Sequence, residues 1–293
     1  METLMLIVIL FMKGVQGFFS KKLSSLVSKR TVYISYSAYS ALVSAVLAGI
    51  VMLIGGGNLH IDKWTLLYAV MCGISISICM IANLMALKEG SVALVNIFAM
   101  AGILIPCVTG HFFFQEYMTI MQLVGIILLI GSTLFLMQYN KSLYGKITAK
   151  MIILIFIVMI SNGTTMLAQK MFAMYVPNSN VSMFSFLSFL IPGILLLLLI
   201  KPIAKKDNDK IELLPKPVFA IGAILALALL LVSQLSTVIS KALPSVVVFP
   251  IVNGGGLIIV TLVAAIFFKE KLTVKSLIGL VLGIVSLIII NSF

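Results

Sequence analysis

Lys13 is the residue whose type and position could do chemistry. It lies about eight residues before Lys21 in an apolar run, about 12 Å along a helix rising roughly 1.5 Å per residue, near the middle of a hydrocarbon core about 30 Å thick. A lone ammonium there costs roughly 2.5–3.5 kcal/mol even on the lenient insertion scale, so it must face water, a ligand or a partner. Two roles fit. The stem could snorkel to an interface or reach a helix-end carbonyl, or the ammonium could contact a carboxylate, phosphate or other anionic group. Neutral polar groups accompany it in other apolar runs: Gln16, Asn83, Asn96, Asn162, Thr165, Gln169, Gln234, Thr237 and Asn253. Each alone could serve only as an interhelical hydrogen bond; as a set they outline a polar pathway.

What is missing narrows the chemistry. Glu2, Asp62, Glu89, Glu116, Asp207, Asp209, Glu212 and Glu270 all fall at the ends of apolar runs or between them. Cys72, Cys79 and Cys107 sit inside apolar runs without metal-site spacing and read as small buried hydrophobes. There is no clustered nucleophile, no acid/base pair and no P-loop. An enzyme, a metal site and a cofactor are therefore not expected. His111, beside three phenylalanines, could couple protons, with a bland interfacial role as the alternative. Tyr33, Tyr36 and Tyr39 could stack on a ligand or anchor an interface.

The elements that position these residues follow from composition. With 62% hydrophobic and 10% charged residues and a mean hydropathy of +1.25, too little polar surface remains to coat a soluble globule. Only helices or closed barrels satisfy backbone groups in hydrocarbon, and runs of about 20 apolar residues without alternation select helices. The fold class is an all-α polytopic membrane protein with ten spans, at about 2–20, 31–54, 65–87, 91–114, 118–139, 150–174, 181–200, 217–240, 244–268 and 272–291. The first run lacks a basic leader and reads as a retained span. Only the connection 201–216 is long, and its Lys-Lys-Asp-Asn-Asp-Lys core reads as a solvated loop.

The chain repeats itself. Glu116, Thr119 and Gly125 recur as Glu270, Thr273 and Gly279 at one offset of 154 residues, and Gly14 recurs as Gly163 at 149. Two five-span units, 1–140 and 141–293, follow, and an odd number of spans inserts the second with opposite polarity. Inverted repeats place a substrate site near the midplane, between the halves. Pro106, Pro250 and Gly254-Gly255-Gly256 interrupt the fourth span of each half. Pro250, Gly254, Gly255 and Gly256 are the hinge candidates. Sixteen of the twenty Lys and Arg residues fall at the odd-numbered connections, so the positive-inside rule puts both termini outside the cytoplasm. The formal charge of +12 thus marks membrane orientation rather than nucleic-acid binding.

The run Ala86-Leu87 through Phe114-Gln115-Glu116 with Gly125, and its echo Ser240-Lys241-Ala242-Leu243 through Pro250, Phe267-Phe268-Lys269-Glu270-Lys271-Leu272-Thr273 and Gly279, resemble the EamA-like transporters of the drug/metabolite transporter superfamily. The resemblance spans the whole chain. It implies a cavity lined by the first, third and fourth helices of each half, with the fifth peripheral. The small multidrug resistance proteins, distant kin, use a first-helix carboxylate for proton exchange; Lys13 stands in that span instead. Many relatives keep both termini cytoplasmic, unlike the orientation read here.

The expected function is a secondary carrier in the cytoplasmic membrane that moves a small anionic, zwitterionic or neutral polar metabolite by alternating access. Its expected partners are the lipid bilayer, that solute and, in a coupled carrier, an ion. Monomer and homodimer both remain open. Export of amphiphilic drugs or lipid-linked sugars, or a non-transporting scaffold, are the alternatives.

Overall fold

The long apolar runs become helices because each backbone group then finds its partner within its own segment. The computed structural model describes residues 1–24, 26–27, 29–55, 61–89, 92–136, 148–176, 180–209, 211, 214–269 and 272–292. Glu212, Glu270, Lys141, Lys146, Lys210 and Lys271, which the sequence places at connections, lie outside them. All regular structure among the described residues is helical.

The first half contains α1 (Glu2–Ser24), α2 (Arg30–Ile54), α3 (Lys63–Glu89), α4 (Val92–Ala101), α5 (Leu104–Phe113) and α6 (Ile120–Leu136). The second contains α7 (Ala149–Tyr175), α8 (Val181–Lys206), α9 (Lys216–Ala242), α10 (Ser245–Pro250), a π segment (Ile251–Gly255), α11 (Gly256–Phe267) and α12 (Val274–Ser292). Nine stretches among the described residues, joining α4 to α5 and α10 to α11, are long and apolar enough to cross a bilayer; α6 is a shorter apolar helix of 17 residues. The chain is a multi-pass membrane protein.

The fourth span of the first half breaks at Gly102-Ile103, not at Pro106. Proline is tolerated in the first turn of a helix, where its missing N–H has no intrahelical acceptor, and Pro106 occupies the third position of α5. In the second half Pro250 ends α10, and a π turn from Ile251 to Gly255 carries the backbone on.

The connection 201–216 is also more structured than a solvated loop. Helix α8 runs to Lys206, where Asp207 pairs with Arg30 at 3.6 Å. Asp209 pairs with Lys29 at 3.6 Å and accepts from Thr31 Oγ1 at 2.8 Å. Two aspartates beside the basic start of α2 thus tie α8 to it at the lysine-rich end of the bundle.

Packing follows small residues. Ala38, Ala41, Ala45 and Ala48 with Ser37, Ser40 and Ser44 form a buried stripe on α2, which packs chiefly on α8 and α9. Small side chains let helices approach closely where lipid supplies no hydrophobic drive. Helix α1 packs on α9 and α11, and α7 packs on α3, α4 and α5. Helices α6 and α12 pack together, with Gly279 and Gly283 of α12 against the Phe135–Leu136 backbone and Ser132 of α6.

The recurring hairpin residues have structural jobs. Thr119 and Gln122 cap α6 reciprocally, N–H to side chain, at 3.0 and 3.1 Å, while Thr273 Oγ1 accepts from the Ser276 N–H at 3.2 Å at the start of α12. Gln115 and Lys269, 154 residues apart, both adopt positive φ, at 55° and 53°.

Candidate functional site

Lys13 is the middle residue of α1, Asn162 of α7 and Leu229 of α9. All three line one cavity of about 180 Å³. Its polar wall is Lys13 and Gln16 from α1, Asn162, Thr165 and Gln169 from α7, Ser233 and Ser236 from α9, and Asn253 from the π segment. Ile76 and Met80 of α3, Met166, Phe189, Leu229, Val232, Phe249 and Val252 complete it.

Each polar group is held differently. The carbon stem of Lys13 packs over Gly256, where an added Cβ would lie 3.1 Å from its Cγ and Cδ and the stem would have to shift by a few tenths of an ångström. Asn162 Nδ2 donates to the Ala99 carbonyl at 2.7 Å. Gln169 Nε2 donates to Ser233 Oγ at 3.0 Å. Thr165 Oγ1 returns its proton to the Ser161 carbonyl at 3.0 Å. Asn253 Nδ2 donates to the Phe249 carbonyl at 3.0 Å and approaches Met166 Sδ at 3.6 Å. Gln16 Nε2 and Ser236 Oγ are buried without a hydrogen-bond partner among the described residues. Among the described residues no carboxylate lines the cavity.

Six of the ten residues singled out from the sequence therefore meet: Lys13, Gln16, Asn162, Thr165, Gln169 and Asn253. The other four lie elsewhere. Asn83 sits on α3 beyond Met80, and Asn96 on α4, both half-buried and outside the lining. Gln234 Nε2 donates to Ser182 Oγ at 3.2 Å and ties α9 to α8. Thr237 is fully buried and donates to its own helix at the Ser233 carbonyl, 2.9 Å away. Of the hinge candidates, Gly254 is filled in by Leu129, Gly255 by Leu10 and Gly256 by Lys13; Gly254 and Gly255 end the π segment, and Pro250 and Gly256 flank it.

Tyr39 stacks on Phe219 of α9 at 4.5 Å, and Tyr33 packs edge-on to Tyr36 of its own helix at 6.5 Å. His111 is exposed, its Nδ1 3.0 Å from the Glu116 carbonyl. A second, larger groove of about 610 Å³ runs between α1 and α11, lined by Ile7, Leu10, Phe11, Gly14, Val15, Phe18, Phe19, Ile259, Val263 and Phe267. With no polar side chain among the described residues of its wall, it offers nothing to select a polar solute.

Both halves of the chain match the EamA-like transporter family, over residues 1–138 and 149–292. The chain belongs to the EamA-like transporter family. A solved crystal structure of a protein superposes on it with a TM-score of 0.78 at 12% identity, covering 98% of this chain and 95% of that one; the likeness is one of fold. No curated protein matches the chain. Members of the family are transporters, so this EamA-like protein carries some small solute.

Sequence reading overlooked one cluster. Lys170, only 2% exposed, forms an ion pair with Glu116 and donates to the Ser240 and Leu243 carbonyls at 2.7 and 3.1 Å. The other carboxylate oxygen of Glu116 accepts from the Ser245 N–H at 2.8 Å. The signal was present: Lys170 stands 149 residues after Lys21, and the Phe114 ring lies 5.9 Å from its Nζ as Phe268 lies 5.1 Å from that of Lys21. An acid on a hairpin and a lysine near a span end look solvated until the fold brings them together.

Proposed function

We propose that this EamA-like transporter is a secondary carrier of a small polar metabolite, anionic or zwitterionic in preference to neutral, which binds at the Lys13 cavity and crosses by alternating access. The observation that carries the reading is the cavity's charge: an ammonium at the middle of α1 and, among the described residues, two buried polar atoms without a partner and no carboxylate in the wall. A ligand anion would satisfy all three at once. A volume of about 180 Å³ corresponds to roughly six waters at about 30 Å³ each, small against drug-sized pockets of about 300–1,000 Å³. Gln16 and Ser236 would bind the solute with Lys13, while Asn162, Thr165, Gln169 and Asn253 shape the wall. Gln234 ties α9 to α8, Thr237 bonds within α9, and Asn83 and Asn96 stand outside the lining.

The halves 1–140 and 141–293 act as inverted repeats. Reciprocal packing supports this, since α1 meets α9 and α11 as α7 meets α3, α4 and α5, while α2 meets α8 and α6 meets α12. Rocking about that relation would expose the cavity to each side in turn, with the π segment between Pro250 and Gly256 as the flexing element. The lysine-rich end faces the cytoplasm, both termini lie outside it, and the protein resides in the cell membrane. Export of amphiphiles has one observation in its favour, the apolar groove beside Gly14, but that groove leaves Lys13 unexplained.

Ligand-induced thermal stabilisation across a metabolite collection tests the reading. Small anions or zwitterions should stabilise the purified protein. Lys13→Met, which keeps the stem on Gly256, should weaken their binding about 10- to 100-fold, the worth of about 1.5–3 kcal/mol for a charged hydrogen bond. Undiminished binding by a folded Lys13→Met protein would remove Lys13 from the site.

A further inference from the structure

We infer that Lys170 and Glu116 are the latch of a gate that closes the cavity at the lysine-poor end of the bundle. The inference rests on the carrier reading and adds to it the residues that must part for the site to open. Lys170 follows Gln169, a cavity residue, and Ser240 lies one helical turn beyond Ser236, another. The pair therefore sits directly behind the wall.

It also joins the two halves. Glu116 belongs to the α5–α6 hairpin; Lys170, Ser240, Leu243 and Ser245 belong to α7, the end of α9 and the start of α10. The three ammonium protons have three acceptors: Glu116 and the carbonyls of Ser240 and Leu243. The carboxylate spans Lys170 and the Ser245 N–H. Close approach is built in, because a Cβ on Gly110 would fall 3.2 Å from that of Ser245.

A latch needs two stable conditions with a poor one between them. Paired, both charges are satisfied, Lys170 at 2% and Glu116 at 12% side-chain exposure; fully separated, both are hydrated. Partly separated, the deeper Lys170 ammonium loses its partner before water can replace it, and an uncompensated buried charge is strongly unfavourable. The contact therefore favours closed or open over half-open. At the opposite end Lys21 lies over Phe268 as Lys170 lies over Phe114, so a cation on a hairpin phenylalanine recurs at each mouth of the bundle.

The test measures access. With Cys72, Cys79 and Cys107 replaced by alanine and Ser236→Cys as the probe, a membrane-impermeant thiol reagent is applied from either side of oriented proteoliposomes. Little labelling is expected from the lysine-poor side, and Glu116→Gln should raise it at least 10-fold. Unchanged labelling from that side in a folded Glu116→Gln protein overturns the latch. Should Glu116→Gln fail to fold, Glu116→Gln with Lys170→Met removes both charges together, and raised labelling in that pair again supports the latch. If neither variant folds, the pair is a fixed structural support and the inference fails. A probe that no variant exposes from either side would overturn the latch and count against the carrier reading as well.

Discussion

Gly163→Ala tests how closely the first helix of the second half must lie against α4 and α5. A Cβ added at Gly163 would stand 2.5 Å from the Gly102 carbonyl oxygen and 2.6 Å from Ile105 Cδ1. Backbone cannot rotate away as a side-chain tip can. Restoring an ordinary separation of 3.4 Å moves one helix off the other by about 0.9 Å, a gap that forfeits about a quarter to a half of the dispersion well along the interface. The same movement stretches the bond from Asn162 Nδ2 to the Ala99 carbonyl from 2.7 Å to about 3.6 Å, beyond a hydrogen bond. Overpacking at about 1–3 kcal/mol with one hydrogen bond at about 1 kcal/mol gives a loss of about 2–4 kcal/mol, or roughly 5–10 °C in Tm for a chain of this size. Gly14→Ala is the control, because its Cβ would meet only side-chain methyls, of Ile259 at 3.1 Å and Val263 at 3.7 Å, and a small side-chain shift relieves the closer one; about 1 °C is expected. Thermal unfolding of the two purified variants in one detergent decides the matter. Equal losses, or a neutral Gly163→Ala, would refute the packing argument.

Thr148 Oγ1 caps α7 by accepting from the Met151 N–H at 3.1 Å, so Thr148→Ala should cost about 1 kcal/mol, read as a small drop in Tm with ligand binding unchanged. Reversing the latch as Glu116→Lys with Lys170→Glu should not restore gating. A carboxylate at 170 would face the carbonyls of Ser240 and Leu243, an ammonium at 116 would face the Ser245 N–H, and helix ends oppose both choices; thiol access like that of the parent protein in the swapped variant would show that only attraction, not polarity, matters. Lys13→Met should lose anion binding without loss of Tm, and Lys13→Arg should retain part of it, both measured by ligand-induced stabilisation.

Much of the helical frame was legible because solvent dictates it: a chain this apolar must satisfy its backbone within helices, and the run lengths mark the spans. Lys13 stood out for the same reason, since a midplane ammonium is costly wherever it points. Which amides join it was not legible. Gln16 and Asn162 lie within a turn of the middle of their helices and reach the cavity, whereas Asn83 and Gln234 depend on rotations about the helix axis that only packing sets. Proline positions misled for the first half, because a proline in the first turn of a helix marks a start as readily as a break. The pair of buried Lys170 and partly buried Glu116 joins residues 54 positions apart, a juxtaposition that no local pattern encodes.

The repeat explains where the cavity obtains its polarity and why only one of the two fourth helices contributes. Under the offsets of 149 and 154, Lys13 corresponds to Asn162, Gly256 to Gly102, Ile259 to Ile105 and Asn253 to Ala99. In the second half the amide sits on α7 and its partner on α4 is bare backbone: Asn162 donates to Ala99, and Gly163 lies on Gly102 and Ile105. In the first half the roles change. Lys13 lies along Gly256, and the amide sits across from it on the π segment, where Asn253 lines the cavity. A π turn widens the helix and turns its side chains relative to α-helical register, which is the local difference between the second half's fourth span and the plain break at Gly102-Ile103 in the first. One architecture used twice would give two equivalent half-sites. The exchanges of Lys13 for asparagine and of Asn253 for alanine make them unequal, and the single positive charge that results is what would give the transported solute its sign.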